Sequence, residues 1–228
     1  AFAVVAAWLF AAARNGELRH GNLMCMGAYG ALVGLLLLQP DVGMAVVISS
    51  VWACQFFLAG LPLYWAAALA IGGIAGFIGA YFTLHHVASR VGRFLYPSSG
   101  DSYQVDRSLE AFMNGGLFGR GPGEGTVKEV LPDAHSDFVF AVAGEEFGLF
   151  VCLILVCLFG FIVLRGFAKA LQETDLFILL ATSGLVVQFG LQAVINMGST
   201  LRLMPTKGMT LPFVSYGGTF LLMSWVAV

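Results

Sequence analysis

Charge is scarce in this chain. Of its 228 residues, 11% are Asp, Glu, Lys or Arg, against roughly 25% in a soluble domain. The basic and acidic residues nearly balance, with a formal net charge of −2, and the chain has no basic arm. The shortage of charge excludes an ordinary soluble domain, and no nucleic acid is expected as a partner.

Paired cysteines and targeting signals are also missing. The four cysteines, Cys25, Cys54, Cys152 and Cys157, lie in apolar runs and lack CxxC spacing, so we expect buried small hydrophobes rather than disulfides or metal ligands. No initiator Met, charged leader or cleavage signature precedes residue 1. We therefore interpret the chain as a fragment of a larger protein.

Long apolar runs dominate what is present. The chain is 59% hydrophobic with a mean hydropathy of +0.87, which indicates an integral membrane protein. The runs are apolar on all sides and each is about long enough to cross ~30 Å of hydrocarbon as a helix. The sequence predicts an all-α polytopic fold with about seven transmembrane helices, the first incomplete: 1–13, 22–38, 42–59, 63–83, 137–164, 175–196 and 212–228.

The longest polar interruption runs over residues 85–136. Loops of this length are usually functional. Within it, 103–114 is expected to form an amphipathic interfacial helix with Val105, Leu109 and Phe112 on its apolar side. Counting spans puts 85–136 on the same side of the membrane as 198–211, and the density of basic residues favours the short opposite loops as cytoplasmic.

A glycine-rich stretch, 115–125, lies at the centre of this loop. It has no G-x-G-x-x-G register, no following Gly-Lys-Ser/Thr and no surrounding βαβ pattern, so nucleotide binding is not expected. The sequence favours a flexible loop whose backbone can approach the membrane or a ligand closely. An anion nest formed by its amides stays open as an alternative.

Several carboxylates lie at or inside apolar runs. Asp41 follows Gln39-Pro40 and is expected to cap the next helix, although a broken segment lining a cavity is an alternative. Glu145 and Glu146 are adjacent within the run 137–164. Carboxylates are costly in such a place, so internal partners or water are expected for both.

Asp137 lies where the polar loop meets the apolar run. We expect it in the first turn of a helix, where the macrodipole favours an ionised carboxylate that can accept a proton. The residues alone leave equal weight for an N-cap that only anchors the span.

Cations lie on the same predicted side. Lys207 is held between Pro205 and Pro212, and with Arg202 it is placed to meet a pyrophosphate; its alternative role is a snorkelling interfacial anchor. Arg90 and Arg93, just beyond span 63–83, have the same two interpretations.

Five ordered motifs resemble those of the SEDS family of cell-wall glycosyltransferases, and the resemblance covers essentially the whole chain. Thr206-Lys207 favours the division branch over the elongation branch. Asp133 and Ser136 replace a Glu and a Thr of the family pattern and keep the functional groups. The motifs are QPDVG at 39–43, GGLFGRGPGEG at 115–125, LPDAHSDFVF at 131–140, GEEFG at 144–148 and PTKGMTLPFVSYGG at 205–218.

The resemblance implies a ten-helix fold, of which 1–228 would be a partial single transmembrane domain with 85–136 as its large extracytoplasmic loop. It also implies polymerisation of lipid II into peptidoglycan glycan strands at the outer face of the bacterial cytoplasmic membrane, at the division septum. The family's essential aspartate falls on Asp137. The expected substrate-binding residues are Lys207, Glu129, Arg90, Arg93, His135 and Ser215.

The partners implied are lipid II and undecaprenyl-pyrophosphate glycan, a class B penicillin-binding protein, divisome proteins and membrane lipids. A divalent cation, Mg²⁺ or Mn²⁺, suits pyrophosphate beside carboxylates, although no residue set specifies a metal site; no other cofactor is expected. Two alternatives stay open: a flippase for lipid-linked precursors, and a structural scaffold for division. Clustering of the charges around Asp137, rather than across the membrane depth, favours the enzyme.

Overall fold

A computed structural model describes residues 1–39, 41–60, 103–127, 136–204 and 209–215, with isolated positions at 71–72, 75–76, 78–79, 81–83, 89 and 130. Six helices are defined in this part of the chain, and the described residues contain no β-strand. The helices are α1 Phe2–Arg14, α2 Gly21–Leu38, α3 Val42–Leu58, α4 Tyr103–Gly115, α5 Val139–Ala170 and α6 Leu176–Thr200.

The helices confirm the predicted all-helical membrane fold. Among the described residues, α2, α5 and α6 are long and apolar enough to cross a membrane, and α1 and α3 are shorter apolar helices. They match five of the seven predicted spans. The other two, 63–83 and 212–228, lie largely outside the described residues, and the described positions 212–214 form a turn.

The chain divides into two compact units. The first comprises Ala1–Ala88 and Phe161–Gly190, and the second Ser89–Gly160 and Leu191–Val228. Helices α5 and α6 each contribute residues to both units. The interpretation of 1–228 as one domain stays a prediction.

Aromatic rings and alanines fill the core of the first unit. The Trp52 ring stacks on Tyr29 with centroids 4.4 Å apart and on Phe56 at 4.7 Å. Phe10 tilts against the same cluster, 5.4 Å from Phe56, and Ala6, fully buried, lets α1 approach closely. Small residues and rings thus supply the van der Waals packing that holds membrane helices together.

One buried amide adds polar contacts to this core. Gln55, fully buried in α3, donates through Nε2 to the carbonyl oxygen of Ala3 in α1 at 2.7 Å and of Leu180 in α6 at 3.0 Å. A Cβ at Gly184 would overlap the Gln55 amide, so the glycine makes the space for it. Gln55 therefore braces three helices of the first unit.

Asp41 caps α3, as the sequence predicted. Its Oδ1 accepts the Met44 amide N–H at 3.1 Å, which satisfies one of the free donors of the first turn. The turn between α2 and α3 is tight, since the Asp41 N–H donates to the Leu36 carbonyl at 2.9 Å. Of the two interpretations of Asp41, the structural one is confirmed.

Helix α5 corrects the prediction of one continuous span over 137–164. The helix begins at Val139 and is interrupted at Gly148, whose φ of 78° and ψ of −176° are not helical. A positive φ is cheap only for glycine, and a Cβ there would lie 2.5 Å from the Leu117 carbonyl oxygen. The sequence alone did not indicate this break, because single glycines are common inside membrane helices.

The predicted amphipathic helix is confirmed as α4, one residue longer than expected. Its Ala111 is buried and Phe112 is partly buried, and both pack in a small core with Val127, Phe138 and Ala141. Leu109 is half-buried, and the side chain of Val105 lies outside the described residues. Helix α4 therefore packs on the first turns of α5, in the second unit.

Candidate functional site

The glycine loop, residues 115–125, docks on the broken part of α5. Because the helix is interrupted at Gly148, carbonyl groups just before the break are available to partners outside the helix. The Glu145 carbonyl accepts the Arg120 N–H, and the Glu146 carbonyl accepts the Gly121 N–H, both at 3.0 Å. The loop thus replaces hydrogen bonds that an unbroken helix would make for itself.

The opposite side of the break is satisfied in the same way. The Leu149 N–H donates to the Gly116 carbonyl at 3.0 Å, and the Phe150 N–H donates to the Leu117 carbonyl at 3.4 Å. The Phe118 ring packs beside Phe150, with centroids 5.4 Å apart. Non-helical backbone is tolerated at membrane depth when protein buries it and pairs it.

Close approach explains the loop's glycines. A Cβ at Gly115 would overlap the Gly144 carbonyl oxygen, and one at Gly119 would overlap that of Glu146. The sequence predicted a flexible loop here. For these residues that prediction is corrected, because their backbone lies directly against α5. Two of the recognised motifs, at 115–125 and 144–148, form one contact.

Glu145 is the internal anion of this contact. Its side chain is fully buried, and Oε1 accepts the Thr126 N–H at 3.1 Å, the Thr126 hydroxyl at 3.4 Å and the Val127 N–H at 3.2 Å. Oε2 accepts the Val127 N–H at 3.1 Å. The expected internal partners are thus confirmed for Glu145. The two successive amide N–H groups of Thr126 and Val127 form an anion-binding nest, and the group that they bind is the Glu145 carboxylate.

Asp137 lies in a turn two residues before the start of α5. It is not in the first helical turn, which corrects the sequence-based placement; the carbonyl of Phe138, the residue directly before the helix, accepts the Ala141 and Val142 N–H groups. Its side chain is partly exposed. The assignment of Asp137 as the base stays a prediction.

Asn196 fixes the backbone at Asp137. This residue of α6 is fully buried, and its Nδ2 donates to the Asp137 carbonyl oxygen at 2.8 Å and to the Met209 carbonyl oxygen at 2.6 Å. One amide group therefore joins the segment that carries Asp137 to the segment that follows Lys207 by two residues. Both acceptors lie outside the helices, where carbonyl groups depend on such partners.

The segment after Met209 is closed by a serine. Ser215 is buried, its Oγ accepts the Leu211 N–H at 2.7 Å, and its own N–H donates to the Leu211 carbonyl at 3.0 Å. The structure gives Ser215 this backbone contact, and its role in substrate binding stays a prediction.

Helix α4 is tied to the end of α6 in the same unit. The buried Ser108 hydroxyl donates to the Thr200 carbonyl at 2.9 Å. Arg202 forms an ion pair with Asp106 at 3.4 Å. This pair is exposed enough to contribute little to stability, so Ser108 is the firmer contact. Arg202 thus contacts α4, and its predicted role toward pyrophosphate together with Lys207 stays a prediction.

Five of the seven predicted site residues lie outside the described part of the chain: Glu129, Lys207, Arg90, Arg93 and His135. Among the described residues, no three His, Cys, Asp or Glu side chains form a group that could hold a metal ion. Glu129 and His135, which belong to the predicted site, lie outside those described residues. The expectation of Mg²⁺ or Mn²⁺ therefore stays a prediction. The four cysteines are free thiols; Cys25 and Cys152 are buried, as expected, whereas Cys54 is partly buried and Cys157 is exposed, which corrects the expectation for Cys157.

Sequence reasoning missed Asn196. The signal was available, because an amide inside an apolar run usually has an interhelical or loop partner. The sequence indicated that Glu145 is costly in an apolar run, but not its partners, since Thr126 and Val127 lie 19 and 18 residues away and outside the five motifs.

Comparison with known proteins identifies the family of this chain. The family described as cell cycle protein, which covers FtsW, RodA and SpoVE, matches residues 1–228. A probable peptidoglycan glycosyltransferase FtsW from Caulobacter vibrioides is 45% identical over 222 residues, which is 97% of this chain and 57% of that protein. A second, from Saccharophagus degradans, is 40% identical over 225 residues, with 94% and 58% covered.

Two solved structures are similar in fold. One belongs to a study of how a peptidoglycan synthase complex coordinates polymerization and crosslinking; it has a TM-score of 0.67 and 32% identity and covers 85% of this chain and 55% of that one. The other is a point mutant of the rod shape determining protein RodA from Thermus thermophilus, with a TM-score of 0.56 and 29% identity, covering 97% and 60%. The chain thus spans somewhat more than half the length of the curated relatives cited above.

Proposed function

The chain belongs to the cell cycle protein family of FtsW, RodA and SpoVE, and from this premise we propose that it is part of a peptidoglycan glycosyltransferase that polymerises lipid II. One observation carries the proposal: the Asn196 amide binds the backbones of both Asp137 and Met209. Asp137, the predicted base, and Met209, two residues after the predicted cation, are therefore joined through one side chain, although they are far apart in sequence.

The proposed reaction is an inverting transfer without a protein-bound intermediate. The Asp137 carboxylate takes the proton from the 4-hydroxyl of the acceptor's N-acetylglucosamine as the oxygen attacks the anomeric carbon of the strand-bearing donor. The bond from that carbon to the pyrophosphate oxygen breaks, and undecaprenyl pyrophosphate leaves with the electron pair. Lys207, with Arg90 or Arg93, would stabilise the departing negative charge.

The whole protein would act with others. The fold relative from the peptidoglycan synthase complex combines polymerization with crosslinking, which supports a class B penicillin-binding protein as a partner of this chain. The FtsW relatives support a place at the division septum, with the site at the outer face of the cytoplasmic membrane.

Asp137→Asn tests the proposal. The swap is nearly isosteric and removes the base, so purified full-length variant should polymerise labelled lipid II ~10²- to 10⁴-fold more slowly than wild type. Asp175→Asn is the matched control. Asp175 also precedes an apolar helix, where its Oδ1 accepts the Phe177 N–H at 2.7 Å, and asparagine can keep that cap.

Control activity near wild type is expected. Substantial glycan synthesis by the Asp137→Asn protein would remove Asp137 from catalysis. A wild type that moves lipid II across vesicles and polymerises none would identify a flippase instead.

A further inference from the structure

We infer that Glu145 is a positioning residue of the proposed polymerase: its buried carboxylate holds one end of the segment 127–137 in place for the reaction. The inference rests on the proposed function. Segment 127–137 contains Glu129, His135 and Asp137, three of the predicted site residues. The contacts at its two ends therefore restrict where these three side chains can lie.

Glu145 secures the first end. Its two carboxylate oxygens receive the amides of Thr126 and Val127 and the Thr126 hydroxyl. Directly after this contact the chain turns, since the Val130 N–H donates to the Val127 carbonyl at 3.1 Å. A carboxylate that binds successive amides sets the direction in which the turn leaves.

Asn196 secures the second end. Its amide holds the Asp137 carbonyl at 2.8 Å, so both ends of the segment are fixed by a fully buried polar side chain. The two anchors come from different helices, α5 and α6. A segment held at both ends has fewer accessible arrangements than one held at a single end.

The surroundings of Glu145 are built for this contact. A Cβ at Gly125 would lie 2.9 Å from Glu145 Oε2 and 3.2 Å from Glu146 Cγ, so the loop carries no side chain there. On the outer side, the Arg120 guanidinium donates to Thr126 Oγ1 at 3.3 Å. The Thr126 hydroxyl in turn donates to Glu145 Oε1. Two successive hydrogen bonds therefore connect the exposed Arg120 guanidinium to the buried carboxylate.

The burial of the Glu145 carboxylate carries a desolvation cost. A carboxylate in an apolar helix is stable only when hydrogen bonds replace its lost hydration. The helix break at Gly148 belongs to the same arrangement, since it directs the Glu145 and Glu146 carbonyls to the loop while the Glu145 side chain binds the loop's end. Backbone and side chain of Glu145 thus hold the loop at two points.

Glu145→Gln in the full-length protein tests the inference, with Glu124→Gln as matched control. Glu124 lies on the same loop and is exposed. Hydrogen exchange of the Thr126 and Val127 amides should accelerate about 10- to 100-fold in the Glu145→Gln protein, since one charged acceptor oxygen becomes a weaker neutral acceptor and the other becomes an NH2 donor. Exchange within 149–170 should stay unchanged, and the control should match wild type.

Polymerisation of lipid II gives the second readout. At equal folded protein, kcat of Glu145→Gln should fall about 10-fold or more while KM changes little, since misplacement of reacting groups affects turnover. Gly125→Ala displaces the loop and leaves the carboxylate intact, so it should also lower kcat and change KM little. It replaces the Gln variant in the test if that variant does not fold.

Faster exchange at 126–127 with unchanged kcat would overturn the inference, as would a kcat loss fully explained by loss of folded protein. Unchanged exchange in both variants would also overturn it. These outcomes leave the proposed function intact when wild type polymerises lipid II. A wild type without polymerase activity would instead refute the proposed function, and the inference with it.

Discussion

Two fully buried side-chain amides, Gln55 in the first unit and Asn196 in the second, bind backbone carbonyls in different ways. Gln55 donates to Ala3 and Leu180, which lie inside helices, whereas Asn196 donates to Asp137 and Met209, which lie outside them. Helical carbonyls already accept a bond from their own helix. Loop carbonyls buried in protein depend on partners such as Asn196.

The two amides also share a property. In the described part of the chain, neither the Gln55 Oε1 nor the Asn196 Oδ1 atom has a hydrogen-bond partner. Both residues therefore act through their N–H donors. The first unit can keep most of its stability without such a donor because rings and alanines hold its helices together, as the stack of Trp52 on Tyr29 and Phe56 illustrates. The second unit relies on polar contacts to hold its loops.

The largest effect is expected for Asn196→Leu. The change keeps the approximate size of the side chain and removes both donors, which leaves two buried loop carbonyls without this partner. We expect a loss of about 3 kcal/mol in the free energy of unfolding. Thermal unfolding in detergent measures the loss, and lipid II polymerisation should fall about 100-fold at equal folded protein. Activity close to wild type would contradict the conclusion that Asn196 matters more to the site than Gln55 does.

Gly148→Ala should have the next largest effect. A positive φ at alanine costs on the order of 1–3 kcal/mol, and the added Cβ would press on the loop at Leu117. Gly160→Ala in the same helix is the control, because nothing lies within 4 Å of its Cβ position. The control should be neutral or stabilising by up to about 1 kcal/mol. Equal stability of the two variants in thermal unfolding would contradict the observed helix break.

The smallest effect is expected for Gln55→Met. Both carbonyl acceptors keep their helical bonds, and an unpaired buried oxygen is removed along with the amide. Interhelical hydrogen bonds in membranes contribute about 0.6 kcal/mol on average, so a loss of that order in thermal unfolding is expected. Polymerisation should be unaffected, since Gln55 lies in the first unit. A loss as large as that of Asn196→Leu would show that the two amides have equal importance.

Much of the fold was predictable from the sequence. Apolar length and composition indicated the helices α1, α2, α3 and α6 within a few residues, and the cap at Asp41 followed from its position before an apolar run. The motifs also indicated where the site residues occur. The helix break at Gly148 was not predictable, because its cause is the loop at 116–119, which no local pattern connects to α5.

The sequence by itself determined the class of protein: a helical membrane protein of the FtsW, RodA and SpoVE family, since hydropathy is a local property and motifs are read in order. Only the tertiary structure decided which polar groups meet. Val127 is 18 residues from Glu145, and Asp137 is 59 residues from Asn196. A buried donor or acceptor requires a partner, but its chemistry does not specify which one; the packing of loops on helices makes that choice.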